Sequence, residues 1–543
     1  MNRVRITAWH SFSWAAGILL SLPLLALFFQ SLSPDNELFV HLWNTVFTDY
    51  LTNSILLLVG VLCFSAFIAI PLAWLNAMCE YPLKRFFSWS LMLPLAMPAY
   101  LIAAVYTELL DYAGPIQVWL RQTFGWQSPQ DYWFFDIVSL AGAVLMLSLV
   151  LFPYLYLILR SFWLEHSYDL IRASRVMQHS PWQSFIRVSL PMARGAIVAA
   201  LALIGMETLA DFATVHLFSV NTLTTAVYDT WIDHSSLGAA AKISCVMLLM
   251  IFLLIGAEKV GRRQRAVHDT MAREKKAMYT LTGGFGWLAA GVSMLILLLS
   301  FFIPVGVLVY YAVIYAAENW RFDFLSHAWN SFQVATIVSL ICIALSVGLV
   351  IFQRFFQQKG QQIPGQLAST GYAIPGTVLA IGVLIPLTLL DHQVNHWFGQ
   401  WFDWQPGLIF SGTVFAITFA YVVRFNAIAV GTLENTLAKV SPSIDMAGRT
   451  MKLNRFQLMY KVHFPLLRRG CLTAGLLIFI EAMKELPAAL LLRPFDYQTL
   501  ATYIYQYVSD EQLELSALAA LFIVGVGLIP LFVVNRNIEA HGR

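Results

Sequence analysis

Charge is what this chain has least of. Only 12% of its 543 residues are Asp, Glu, Lys or Arg, and 59% are hydrophobic, where an ordinary globular domain carries about 25% charge. That excludes a water-soluble globular protein, and the mean hydropathy of +0.69 with its repeated long apolar runs indicates a polytopic helical membrane protein. Cysteine is also scarce. Cys63, Cys79, Cys245, Cys342 and Cys471 form no close pair, which excludes a disulfide framework and zinc-ligand spacing and leaves them as small apolar packing residues. There is no G-x-x-x-x-G-K-[ST], no H-E-x-x-H and no nucleophile elbow, so the chain has no phosphate-cradling loop or hydrolytic motif of its own. No His, Tyr and carboxylate cluster stands at ligand spacing, so no stable metal site is expected, and no nucleic-acid partner is expected.

Twelve apolar spans are expected. They lie near 14–32, 54–75, 87–110, 137–160, 192–210 and 237–257, then near 286–314, 332–352, 366–390, 407–431, 470–492 and 514–534. The first follows Met-Asn-Arg-Val-Arg and resembles a signal peptide, but it is long enough to span and no small-x-small cleavage site follows, so it reads as an uncleaved span. The chain divides into a first half, 1–257 (core about 50–257), a basic linker, 258–285, and a second half, 286–543 (core about 328–535).

The basic residues set orientation. The linker, the loop with Lys84 and Arg85, the loop with Arg354 and Lys359, and two longer loops near 172–194 and 446–468 are rich in Lys and Arg. They alternate with loops nearly free of them: the segments 33–53, 211–236 and 391–406 contain none. The positive-inside rule puts the basic set and both termini in the cytoplasm. Six spans per half is an even number, so the two halves run in parallel about an axis along the membrane normal.

The two longer basic loops are copies. Arg172 to Pro191 reads RASRVMQHSPWQSFIRVSLP, and Met446 to Pro465, 274 residues on, reads MAGRTMKLNRFQLMYKVHFP. Ala173 matches Ala447, Arg175 matches Arg449, Gln183 matches Gln457, and Pro191 matches Pro465. Small residues at Ala173, Ser174, Ala447 and Gly448 let a short helix approach a partner surface. Arg175 and Arg449 can pair with acids there, and the prolines separate the loop from the next membrane helix. A basic helix lying on anionic lipid accounts for one such loop equally well; two copies at matching positions favour docking. Elsewhere Asn53-Ser54 matches Asn330-Ser331, and Pro98 matches Pro375 inside the third and ninth spans. A hinge and a static kink both fit those prolines, and the kink is the simpler reading.

The offset of 274 carries on into the fifth and eleventh spans. METLADFATVHLF, Met206 to Phe218, matches IEAMKELPAALLLRPF, Ile480 to Phe495, so that Glu207 falls on Glu481 and Asp211 on Glu485. Spacing of i, i+4 predicts both carboxylates of each pair on one helix face. Ionisable groups at that depth are candidates for a pathway lining. Structural pairing fits as well, since Lys484 follows Glu481 by three residues and can neutralise one acid.

The duplicated loops resemble the EAA loop of ABC importer permeases. That pattern is Glu-Ala-Ala, three residues, Gly, nine residues, Ile-x-Leu-Pro. The spacing is kept, but Arg172 and Met446 replace the Glu, and Gln178 and Lys452 replace the Gly; Asp445 precedes the expected Glu by one residue. The segments after the loops, with Thr222 to Trp231 and Thr499 to Leu513, are similar to the fused permeases of bacterial ferric-iron ABC importers. The resemblance covers nearly the whole chain. It implies an all-α membrane protein of about twelve transmembrane helices, built as two parallel six-helix repeats of the type-I ABC importer permease fold. It further implies a bacterial inner-membrane location, a periplasmic iron-binding protein as donor, and a cytoplasmic ATP-binding subunit dimer. ATP and Mg would sit on those partner subunits, and the chain itself would be a transport subunit, not an enzyme. Resemblance and residues together nominate Arg172, Ala173, Ser174, Arg175, Gln178, Pro191, Ala447, Gly448, Arg449, Lys452 and Pro465 for the drive site. Glu207, Asp211, Glu481, Lys484 and Glu485 are nominated for the pathway.

Three rivals remain. Thiamine, sulfate, spermidine and aminophosphonate importers share the fold. A secondary transporter of the major facilitator type also has two parallel six-span halves, but its G-x-x-x-D-R-x-G-R-R loop is absent where NAMCEYPLKRF, Asn76 to Phe86, stands. A membrane scaffold is the third, and the paired intramembrane acids argue against it.

Overall fold

The computed structural model describes residues 8–34, 37–166, 168–262, 278–320, 322–356, 360–438 and 440–540. The first half runs α1 (Ala8–Ser31), α2 (Phe47–Met78), β1 (Cys79–Glu80), α3 (Ala99–Leu110), α4 (Leu140–His166), α5 (Tyr168–Val176), α6 (Pro181–Ser184), α7 (Arg194–Ala210), α8 (Ala213–Leu217), α9 (Leu223–Ile232) and α10 (Leu237–Arg262). The second half continues with β2 (Tyr279–Thr280), α11 (Ile303–Ile314), α12 (Phe322–Phe355), α13 (Gly376–Phe402), α14 (Val414–Ala438), α15 (Pro442–Thr450), α16 (Arg455–Leu458), α17 (Phe464–Lys484), α18 (Pro487–Leu492), α19 (Leu500–Ser509) and α20 (Leu513–Ala540).

Among the described residues nine helices are long and apolar enough to cross a bilayer, or eleven if each of two bent pairs is one span. The eleventh expected span, 470–492, is broken: α17 ends at Lys484, and Pro487–Leu492 is the separate helix α18. Helix α17 falls short of that apolar length because Arg468 and Arg469 stand near one end and Glu481 and Lys484 near the other.

The chain forms two compact units, each drawing on both halves of the sequence. One unit holds 42–226, 246–321 and 504–543. Its core packs α2 along α4 and α7, and α11 lies against α20 and α3. The other holds 1–41, 227–245 and 322–503. There α12, α14 and α17 pack together, and α1 lies along α13 and the short helix Ile363–Ala368. The two three-helix cores are built from equivalent spans. Small residues at the contacts, such as Ala69, Ala143 and Ala200 in one core and Ala335, Ala420 and Ala474 in the other, are fully buried and let backbones approach closely, as membrane helices require. Gly17 and Gly382 do this for α1. A Cβ would lie 2.9 Å from the Pro364 carbonyl at the first and 2.7 Å from the Pro23 carbonyl at the second.

The paired prolines are helix starts rather than kinks. Pro98 and Pro375 are the N-caps of α3 and α13, each preceded by a short 3-10 turn. The residue before each, Met97 or Ile374, is extended with ψ near 126°, because the proline ring clashes with a helical predecessor. In the first half the chain turns by 91° there, between Lys84–Ala96 and Ala99–Phe124.

Asn53-Ser54 and Asn330-Ser331 form a duplicated clamp. Asn53 Nδ2 donates to Asn221 O (3.0 Å), and Ser54 Oγ accepts from Leu223 N (2.9 Å). In the second copy Asn330 Nδ2 donates to Gln498 O (3.1 Å), and Ser331 Oγ accepts from Leu500 N (2.6 Å). Each clamp holds the start of α9 or α19 against the end of a long helix.

Residues 263–277 of the expected linker lie outside the described residues. Its end is structured: Met278 N donates to Met78 O (2.9 Å), and β2 pairs in parallel with β1.

Candidate functional site

Both loops fold by one recipe. A short helix, α5 or α15, ends in a turn whose next residue is left-handed: Gln178 at φ 62° and Lys452 at φ 58°. His179 N reaches back to Ser174 O (3.2 Å), and Leu453 N to Gly448 O (3.1 Å), the backbone closure of a Schellman turn. The glycine that the resemblance expected at these two positions would suit that φ at no steric cost; here Gln and Lys adopt it. A capping box then starts the next turn. Gln183 N donates to Ser180 Oγ while Ser180 N donates to Gln183 Oε1. Asn454 and Gln457 repeat the exchange. A π turn follows in each copy, Phe185–Ser189 and Met459–His463. Each proline follows its π turn inside a continuous helical run, since Ser189 and Leu190, like His463 and Phe464, are already helical. Pro191 sits in the short helix Leu190–Met192 ahead of a 67° bend into α7, while Pro465 stands within the first turn of α17. Separation of loop from membrane helix therefore does not come from the second proline.

The interiors of the two loops differ. In the first, Ser174 Oγ meets Ser184 Oγ at 2.9 Å. In the second the equivalent residues are Gly448 and Leu458, and a Cβ on Gly448 would overlap Leu458 Cδ1. Under the first loop the seat is mostly apolar: Ile171 is fully buried, Ala77 is 2% exposed, and Trp163 Nε1 donates to Ser189 O (3.2 Å). Under the second the matching positions are Asp445, Arg354 and His463. Arg354 Nε stands 2.7 Å from Asp445 Oδ2, and Arg354 Nη2 donates to Val440 O (3.0 Å). His463, fully buried, places Nε2 2.8 Å from Asp445 Oδ1, outside hydrogen-bond alignment. Burial holds the His463 imidazole below its ordinary pKa of 6.5, against the nearby Asp445, which raises it. Sequence reasoning noted Asp445 only for its place in the pattern and missed both partners.

The outer face of each loop is open and mixed in character. Arg172, Ala173, Arg175, Arg187, Val176, Met177 and Trp182 are exposed on the first; Met446, Ala447, Met451, Lys452, Tyr460 and Lys461 are exposed on the second. The side chain of Arg449 lies outside the described residues. Arg175 also covers the ring of Tyr279 at 5.5 Å.

The acids are not paired on helix faces. Helix α7 ends at Ala210 and α17 at Lys484, so Asp211 and Glu485 are extended residues past the helix ends, with ψ 125° and 119°. Each instead accepts a backbone N–H from the following short helix. Asp211 Oδ1 takes Thr214 N (2.9 Å) and Oδ2 takes Thr214 Oγ1 (3.0 Å); Glu485 Oε1 takes Ala488 N (3.3 Å). A carboxylate that satisfies orphan donors of a new helix competes with continuation of the old one. Glu485 is buried and faces Arg424 of α14, Nε to Oε2 3.3 Å, while Tyr421 Oη donates to Glu485 O (2.9 Å). Arg424, in the apolar run AYVVRFN, was missed; an arginine inside a span is itself the signal that could have found it. Lys484 lies 3.8 Å from Glu481, whose side chain is 42% exposed, and Glu207 is half-buried. Among the described residues no three His, Cys, Asp or Glu come together as metal ligands.

A polytopic helical bundle carrying two copies of a basic loop, each leading into a membrane helix that ends in a capping acid, defines a duplicated transport-type membrane component. The chain belongs to the family described as "Binding-protein-dependent transport system inner membrane component", matched twice, at residues 64–266 and 366–541. It is 24% identical over 493 residues to "Fe(3+)-transport system permease protein FbpB 2" of Haemophilus influenzae, covering 90% of each chain. It is 31% identical over 105 residues to "Ferric transport system permease protein FbpB" of Actinobacillus pleuropneumoniae, covering 19% of this chain and 15% of that one. A protein named for sulfate transport, cysT of Chlorokybus atmophyticus, is 24% identical over 253 residues, 44% of this chain and 82% of that one. The chain is thus a multi-pass inner-membrane protein of a binding-protein-dependent transport system, with two permease cores in one polypeptide.

Proposed function

We propose that this chain is the permease subunit of an ATP-driven importer that moves ferric iron from periplasm to cytoplasm. The supporting observation is likeness over 90% of both chains to a relative named for Fe(3+) transport, together with a loop fold repeated turn for turn in the two halves. The basic loops face the cytoplasm with both termini, and the exposed faces around Arg172, Arg175, Met446 and Lys452 receive the two subunits of an ATPase dimer. ATP closure draws the loops together and opens the halves to an iron-binding protein on the outer side; hydrolysis returns them. Charge on Glu207 and Glu481, both partly exposed, helps replace the solvation that a trivalent cation gives up. The rest of Asp211 and Glu485 is spent on holding α8 and α18.

The test is reconstitution. The chain is purified with everything that binds it, the bound proteins are identified by mass spectrometry, and ATPase activity is measured in liposomes with the iron-loaded or empty binding protein. Stimulation by the iron-loaded form alone supports the reading. Uptake that follows a proton gradient with no ATPase subunit bound would sink it. The distant likeness to the sulfate-named relative makes sulfate the competing cargo, and uptake of labelled sulfate in place of iron would select it.

A further inference from the structure

The two loops share a backbone but not a seat, and that difference has a mechanical meaning. The second coupling helix, α15, is tied to the end of α12 by charge. Asp445 on α15 holds Arg354 on the last turn of α12 at 2.7 Å, Arg354 also takes the Val440 carbonyl at 3.0 Å, and His463 Nε2 lies 2.8 Å from the other Asp445 oxygen without hydrogen-bond alignment. All three side chains are shielded: Arg354 is 13% exposed, Asp445 14% and His463 0%. His463 in turn packs edge-on against Phe355, the neighbour of Arg354. The first loop has Ala77, Ile171 and Ser189 at these positions. That seat is held by the Trp163 hydrogen bond to the Ser189 carbonyl (3.2 Å) and by dispersion contacts, which are individually weak and non-directional. A shielded ion pair is directional, and separating it leaves an uncompensated charge, so the helices it joins move together.

We infer that Arg354 is a positioning residue that binds the second coupling helix to α12 through Asp445, so that displacement of the second loop, and not of the first, is passed directly into the membrane bundle. The inference rests on the reading of these loops as the ATPase contact. It assigns unequal work to two loops whose sequences look alike.

The experiment uses the full chain in complex with its ATPase subunits and reads binding-protein-stimulated against basal ATPase activity. Asp445→Asn removes the charge that Arg354 faces. The triple variant Arg354→Ala, Asp445→Ile, His463→Ser installs the first loop's own uncharged set, a seat that already supports this loop fold, so loss of folding is not built into it. Both are expected to bind the ATPase subunits as wild type does and to lose about fivefold or more of the stimulation, the lower end of ordinary coupling energies. A wild-type stimulation ratio in a folded triple variant would overturn the inference. If the triple does not fold, a wild-type ratio in Asp445→Asn overturns it equally. Failure of wild type itself to bind an ATPase would instead refute the parent reading, so the two failures are told apart.

Discussion

Arg424 and Glu485 face one another across 3.3 Å with side chains 11% and 6% exposed. The pair joins α14 to the junction between α17 and α18, and Tyr421 from the same helix bonds the Glu485 carbonyl. Arg424→Ala strands a buried carboxylate and should cost about 3–5 kcal/mol, read as a lower melting temperature in detergent. Arg424→Leu combined with Glu485→Gln should recover most of that loss, because Gln still offers an acceptor to Ala488 N.

The Gly448 and Leu458 contact predicts a coupled pair. Gly448→Ser drives a side chain into Leu458 and should destabilise the chain by about 1–3 kcal/mol. Leu458→Ser alone empties a buried position. The double variant recreates the hydroxyl pair of Ser174 and Ser184 and should cost less than the sum by about 1 kcal/mol or more. Thermal melts of the four proteins check this.

Gln178 and Lys452 pay a conformational cost for their left-handed backbone, about 1–2 kcal/mol for an L-residue. Glycine removes that strain but widens the unfolded ensemble by about 0.4–1 kcal/mol. Gln178→Gly and Lys452→Gly should therefore each stabilise by up to about 1 kcal/mol in melting experiments.

His463 predicts an acid-side loss of stability. Its pKa is lowered in the folded protein by burial, against 6.5 in the unfolded chain. Below that value the unfolded state binds the extra proton, so stability is full above about pH 6.5 and falls as pH drops beneath it. His463→Gln should flatten the melting temperature across that window; an unchanged slope would point to another group.

The elements legible in sequence were those written by long-range pattern. Apolar runs placed the helices, the 274-residue offset placed the loops, and a separate match placed Asn53-Ser54 and its copy. What was not legible depended on three-dimensional competition for backbone groups. The i, i+4 spacing of Glu207 and Asp211 promised one helix face, but a carboxylate able to cap the next helix ended the first one. Pro98 and Pro375 read as kinks because a single chain does not reveal that a 3-10 turn precedes each. Arg424 was passed over, and Arg354 counted only as a loop charge, because each pairs with a residue more than sixty positions away, and only Glu485 and Asp445 fell within the repeat that drew notice.

The seating of α1 has a consequence for biosynthesis. Its partners, Ile363–Ala368 and α13, lie in the other half of the sequence, and Gly17 and Gly382 bring the backbones too close for a substitute neighbour to fit well. At synthesis rates of about 5–20 residues/s, α1 waits roughly 20–70 s in the membrane before those partners emerge. A ribosome stalled after the first half leaves α1 without the partners that bury Gly17 and Pro23. Any attempt to express the halves as separate chains would have to let α1 find its place by diffusion in the bilayer.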